Sequence, residues 1–261
     1  MYKEYKKLIP FEDYTIPAII TLPDDPADKG VVMLHGTGTN KDEAGNGYIT
    51  AARILAENYG LASIRIDWPG YGESDADPLR YDFSTAVRNA ATAATYLKVN
   101  CGICHVGVMG WSQGGSDALL TAGNYPALFE AVVTWAGALD LSEMLTKEDI
   151  DTAMNTGYFT MKFGWRPDVD VSAQWVTDAL HVNILNTFRM SDAPVLAIAG
   201  TDDDVVDPAC AETIAKMSPD SRSRHVLIDG ADHVFHVLED ERSPQLLEAI
   251  RLTGEFFKAQ L

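Results

Sequence analysis

The sequence predicts an α/β domain, a mostly parallel central sheet flanked by helices and interrupted by one late insertion. From Gly30 onward, short continuous apolar runs alternate with longer amphipathic segments, the rhythm of buried parallel strands joined by covering helices. The chain has 261 residues and is 46% hydrophobic, which suits one large domain with a substantial core and excludes general disorder. No apolar run reaches the roughly 18 residues that span a bilayer.

The elements follow in order. YTIPAIITLP reads as one or two short edge strands, limited by Pro17 and Pro23. Val31–Leu34 is apolar throughout and reads as a strand buried on both faces. YITAARILAENYG follows as a helix with Ile49, Ala52, Ile54, Leu55 and Tyr59 as its stripe and Gly60 as its stop. LASIRID is the next strand, WPGYGESDAD a loop, and a helix runs from about Phe83 to Lys98. HVGVMGWS supplies a strand, and a helix begins after Ser112. AVVTWAG, APVLAIAG and RHVLIDG complete the strands, and SPQLLEAIRLTGEFFKAQ closes the chain as an amphipathic helix. Its core contacts are Leu246, Leu247, Ile250, Phe256 and Phe257.

Leu139–Met190 breaks the rhythm. It is too long for a simple crossover and rich in Met, Trp, Phe and Tyr, so it reads as a helical lid over the carboxyl ends of the strands. The chain thus divides into a core formed by residues 1–138 and 191–261 and a cap formed by residues 139–190.

Twenty Lys and Arg against 38 Asp and Glu give a net charge of −18. With no basic patch, that surplus opposes nucleic acid and anionic membranes as partners. Met1–Pro10 is charged where a signal peptide is apolar, and three cysteines cannot pair fully, so the expected location is cytoplasmic. Cys101 and Cys104 have C-x-x-C spacing but precede a strand, and read as reduced packing cysteines rather than a redox pair or half a zinc site. Asp67 and Asp75 read as structural rather than as a metal pair. The charge leaves a homo-oligomer open.

The chemistry centres on GWSQGG, Gly110–Gly115. Its first five residues match G-x-S-x-G between a strand and a helix, the setting in which a strained turn lifts a serine hydroxyl above a sheet. Ser112 needs a base. His233 lies just beyond the last predicted strand and is favoured over His236, which sits three residues later. His105 and His225 fall at the opposite ends of their strands, and His181 has ordinary surface or core readings. The carboxylate that orients the base must follow a strand, and Asp202, Asp203 and Asp204 are equivalent on that ground. An oxyanion hole takes two backbone N–H groups: Gln113, at a helix start, and Thr37, in the loop after the first parallel strand. His35 reads as a structural anchor for that loop.

Five segments then give most of the chain a resemblance to the α/β-hydrolase family, and within it to the cinnamoyl/feruloyl esterases and carboxylesterases. They are HGTGTNKDE, DWPGYGESD, GWSQGG, AGTDDDVVDP and DGADHVFH. The resemblance implies an α/β-hydrolase fold with a lid, Asp203 as the acid, His233 as the base, and Thr37 and Gln113 as the oxyanion pair. Many relatives carry an aromatic residue or glycine where this chain has Thr37. The resemblance further implies a lid-lined pocket in which Asp140 and Tyr158 hold a phenolic hydroxyl, and an acyl-enzyme mechanism needing no metal or cofactor. The expected substrate is a small neutral ester. Peptidase or amidase, thioesterase or lipase activity, and a non-catalytic binding role, are the rival readings.

Overall fold

The computed structural model describes residues 1–164 and 168–261. Its strands are β1 (Tyr2–Phe11), β2 (Tyr14–Pro23), β3 (Lys29–Leu34), β4 (Ala62–Ile66), β5 (His105–Trp111), β6 (Val132–Trp135), β7 (Tyr158–Met161), β8 (Val169–Ser172), β9 (Val195–Gly200) and β10 (Arg224–Ile228). Its helices are α1 (Gly47–Tyr59), α2 (Phe83–Cys101), α3 (Gln113–Asn124), α4 (Lys147–Thr156), α5 (Ala173–His181), α6 (Ile184–Phe188), α7 (Ala209–Met217) and α8 (Pro244–Gln260).

Eight strands form one sheet in the order β1-β2-β4-β3-β5-β6-β9-β10. The β1–β2 and β2–β4 pairs are antiparallel, and every pair from β4 to β10 is parallel. Alternate residues of the parallel strands feed two apolar layers. Val31 and Met33 face α1 and α8, whereas Val32 and Leu34 face α2 and α3. Burial on both faces is why these strands read as unbroken apolar runs. The chain runs from β3 to β4 on one side, then crosses back to place β5 on the other. Strand order reverses at β3/β5, and the loops at their carboxyl ends open the crevice where such sheets bind ligands.

Four elements depart from the expectation. Met1–Pro10, to which the sequence assigned no element, supplies most of β1, an edge strand whose Lys3, Lys6 and Lys7 are exposed. Its Glu4 bonds Arg65 and Arg53, and its Lys6 bonds Glu73. β2 spans Tyr14–Pro23 as a single strand, within the expectation, but it lies between β1 and β4 rather than at the edge, and Pro17 falls just outside the Ala18–Thr21 stretch that pairs with β4. In α1 the buried face is Tyr48, Ala51, Ala52, Leu55 and Ala56, so small residues at the sheet contact displaced Ile49, Ile54 and Tyr59 toward the rim. Finally, α7 fills the β9–β10 crossover, where no helix had been assigned.

The segment between β6 and β9 is not wholly helical. Beside α4, α5 and α6 it contains the antiparallel β7–β8 ribbon, whose Phe159, Met161, Val169 and Val171 point inward. These side chains join Trp175, Val176, Ile184 and Phe188 in the same apolar layer as α2 and α3. Ser172 Oγ and Asp178 Oδ2 also bond the backbone of Tyr81 and Phe83, so the segment is tied to the core. Of the two C-x-x-C cysteines, Cys101 ends α2 half-buried, whereas Cys104 is exposed and does not pack.

The loop after β3 is fastened to the loop after β4 by a buried ion pair. Lys41 Nζ lies 2.8 Å from Asp67 Oδ2 and 2.9 Å from Glu73 Oε2. The Lys41 and Glu73 backbone N–H groups also donate to Asp67. Asp67 is therefore structural, as expected from the sequence. Lys41→Met would leave this carboxylate buried on two backbone donors alone. The variant should lose about 3 kcal/mol of stability, measured by denaturant unfolding.

Candidate active site

Ser112 sits at the turn between β5 and α3 with φ 55° and ψ −123°, a conformation that a non-glycine residue holds only where its surroundings impose it. The surroundings are backbone. A Cβ on Gly110 would lie 1.8 Å from the Gly114 carbonyl oxygen, and one on Gly114 would lie 2.1 Å from the Leu34 oxygen. The two glycines of the motif let β5, α3 and β3 converge, and the turn projects Ser112 beyond the sheet.

Both N–H groups assigned to an oxyanion hole belong to peptides held from behind. The Gly36 carbonyl accepts from His35 Nδ1 at 2.9 Å, from Thr39 N at 3.4 Å and from Thr39 Oγ1 at 3.2 Å. A trans peptide is planar, so fixing that oxygen fixes the Thr37 N–H in the opposite direction. The Ser112 carbonyl likewise accepts from Gly115 N at 2.9 Å and Ala138 N at 3.3 Å, which orients the Gln113 N–H. That N–H opens α3, where the first amides have no partner inside the helix. His35 is fully buried and its Nε2 accepts from Trp68 N, the anchoring role expected of it.

The structure brings His233 and Asp203 together. His233 Nδ1 lies 3.1 and 3.0 Å from the two Asp203 oxygens, and Asp203 also accepts from Val205 N and Val206 N. Asp202 and Asp204 are exposed and make no bond to His233, so tertiary geometry singles out Asp203, the carboxylate the family resemblance implied, from three that loop position left equivalent. The His233 carbonyl accepts from Trp111 Nε1 at 3.0 Å, which ties the histidine loop to the residue preceding Ser112. Trp111 in turn packs against Tyr48, Trp135 and Phe235.

His236 faces elsewhere. It lies in a turn at φ 56° rather than in a helix, and its Nε2 bonds the Gly230 carbonyl. That carbonyl, with Asp232 and Glu239 nearby, raises the His236 pKa. His105 is half-buried at the amino end of β5, His225 is exposed at the amino end of β10, and His181 is exposed on α5. Of the two residues assigned to a phenolic site, Asp140 is exposed and its Oδ1 accepts from Ser142 N and Oγ. Tyr158 is exposed on the outer side of β7.

Three residues here had no role in the sequence reading. Glu43, at φ 62° and ψ 179°, accepts from Gly36 N at 2.5 Å and Ala44 N at 2.8 Å, and burial pushes its carboxyl up to about 6. Tyr81 and Asp117 are buried beside Gln113. The end of HGTGTNKDE carried Glu43 in plain sight, but nothing in its spacing marks a carboxylate that turns back under the loop. Tyr81 and Asp117 lie in no motif at all.

Burial raises the Asp117 carboxyl to about 8, against a lowering by its bond from Tyr81. The folded protein therefore keeps a proton that the unfolded chain releases above its ordinary pKa of 3.8. Stability conferred by this group is complete at low pH and is lost as pH rises toward 8, at up to about 1.4 kcal/mol per pH unit. Asp117→Asn removes the titration. Its stability relative to the wild type should rise steadily between pH 5 and pH 8 in chemical denaturation.

The sequence profile described as "Alpha/beta hydrolase family" matches residues 31–249. No curated protein sequence matches the chain. Among solved structures, Est1E from Butyrivibrio proteoclasticus with bound ferulic acid superposes with a TM-score of 0.80 at 18% identity, covering 100% of this chain and 98% of that one. Dienelactone hydrolase from Anabaena variabilis gives 0.69 at 21% identity, covering 100% and 99%. A CIB-like hydrolase from Thermoplasma acidophilum gives 0.63 at 18% identity, covering 99% and 100%. At these identities the superpositions speak for the fold alone, whereas the family match spans most of the chain, and the chain belongs to the alpha/beta hydrolase family.

Proposed function

We propose that this protein is a serine ester hydrolase working through an acyl-enzyme. The observation that carries the reading is the pair of buried Asp203 and half-buried His233, tied through Trp111 to the strand that leads into the strained Ser112. In the proposed reaction, Ser112 Oγ attacks the ester carbonyl as His233 takes its proton. Asp203 holds the imidazole in the tautomer with its proton on Nδ1 and stabilises the imidazolium. Charge gathers on the carbonyl oxygen, facing the Thr37 and Gln113 N–H groups. His233 then protonates the leaving alcohol, and water releases the acid by the same steps in reverse.

Neutral esters of cinnamoyl or feruloyl type, or with short acyl chains, fit best. The acidic surface repels anions at long range. The segment from 139 to 190 serves as the lid in this reading, and Phe163 supports it by standing against Gly38, beside Thr37. Peptidase, amidase or thioesterase chemistry would use the same residues on a different acyl substrate.

Ser112→Ala should lose ester hydrolysis by about 10⁴-fold or more while melting normally. His233→Ala should fall comparably, and His236→Ala should stay within a few-fold of wild type. Retained turnover in Ser112→Ala would overturn the mechanism. A panel of feruloyl, coumaroyl, acetyl and butyryl esters, with a thioester and an aminoacyl amide, decides substrate class. The expected outcome is faster hydrolysis of the oxygen esters. Asp140→Asn should weaken feruloyl over butyryl turnover if Asp140 holds a phenolic hydroxyl.

A further inference from the structure

The side chains of the two residues that would supply the oxyanion hole are bonded to each other. Thr37 Oγ1 donates to Gln113 Oε1. At its other end, Gln113 Nε2 donates to Tyr81 OH at 2.8 Å, and Tyr81 OH donates to Asp117 Oδ2 at 3.2 Å. Each hydroxyl proton is used once, so the three bonds form a chain with one consistent direction. Gln113 and Asp117 are four residues apart on α3 and share a face, whereas Thr37 and Tyr81 come from two other loops. Gln113, Tyr81 and Asp117 are all buried.

Packing fixes the middle of the chain. The Tyr81 ring stacks on Trp68 with centroids 5.7 Å apart and meets Tyr71 edge-on at 5.3 Å. Burial keeps its phenol neutral, hence a donor. The far end is costly, since Asp117 Oδ1 is buried without a partner among the described residues. A half-satisfied buried carboxyl destabilises a fold. Its place at the end of the chain that starts from Thr37 and runs through Gln113 points to a role other than stability.

We propose that Asp117, Tyr81 and the Gln113 side chain are positioning residues that hold Thr37 and Gln113 at the spacing an oxyanion requires. The inference rests on the serine-esterase reading. The two N–H donors lie on separate segments, the β3 loop and the start of α3, and the bond from Thr37 Oγ1 to Gln113 Oε1 ties them directly. A carboxamide has two chemically different ends. With Nε2 committed to Tyr81, Oε1 must face Thr37, and Asp117 decides which way the Tyr81 proton points. A shift of a few tenths of an ångström between the donors would weaken stabilisation of the transition state while leaving the ground-state ester nearly untouched.

The test is a double-mutant cycle on Thr37→Val and Tyr81→Phe, two near-isosteric changes at residues whose side chains are both hydrogen-bonded to Gln113. Each single variant should lose kcat roughly tenfold with KM within about twofold. Each should bind a boronic acid, whose tetrahedral adduct places an oxygen where the oxyanion forms, more weakly by a similar factor. Thr37→Ser should recover what Thr37→Val loses. The double variant should be no worse than the poorer single one, because either change breaks the same chain. Unchanged kcat and boronate affinity in both single variants, or a double variant whose loss is the product of the two, would overturn the proposal. If Tyr81→Phe does not fold, the comparison of Thr37→Val with Thr37→Ser decides alone. Failure of the esterase reading would show differently, as full hydrolysis by Ser112→Ala.

Discussion

Three stretches of backbone meet at Gly110, Gly114 and Leu34 with no room for a Cβ between them. The rest of the molecule is organised around that contact. It brings the ends of β3 and β5 side by side, holds the first turn of α3 against both, and forces Ser112 into its positive-φ conformation. It also sets the Gln113 amide beside the β3 loop that carries Thr37. No side-chain interaction could achieve this spacing, because side chains would keep the segments apart.

Rigidity around the turn is supplied by groups that never face the crevice. Bonds to the Gly36 and Ser112 carbonyls aim the opposite ends of the same peptides. Lys41 and Asp67 close the β3 loop from below, and Glu43 caps its first amide. On the other side, the aromatic packing of Tyr48, Trp111, Trp135 and Phe235 carries the His233 loop. In the proposed reaction such preorganisation means that the donors need no reorientation when charge develops.

The acid surplus divides along the same line. Asp67, Asp117 and Asp203 are buried and each is bonded to a named partner inside the fold. Most of the other carboxylates are exposed. The −18 charge is thus chiefly a property of the solvated surface, while the few acids withdrawn from water order the loops.

Much of the architecture was legible locally. Parallel strands announce themselves as apolar runs because both faces are covered, and the helices end at Gly60 and Gly102, which adopt the left-handed conformation that stops a helix. Edge strand β1 escapes a sequence reading because its alternation is broken by charges, and the β7–β8 ribbon because its strands are four residues each and pair only with each other. Ser112 was legible for a different reason: the chemistry of a tight turn demands small residues at fixed spacing. Local spacing could not choose among Asp202, Asp203 and Asp204, nor reveal Glu43, Tyr81 or Asp117. The sequence by itself determined the buried parallel strands, most of the helices that cover them and the position of the strained serine, since these depend on neighbours along the chain. Spacing alone left three carboxylates open and only a family resemblance pointed to Asp203; the tertiary structure set that carboxylate against His233 and put Tyr81 and Asp117 behind Thr37 and Gln113, through contacts between segments far apart in the chain.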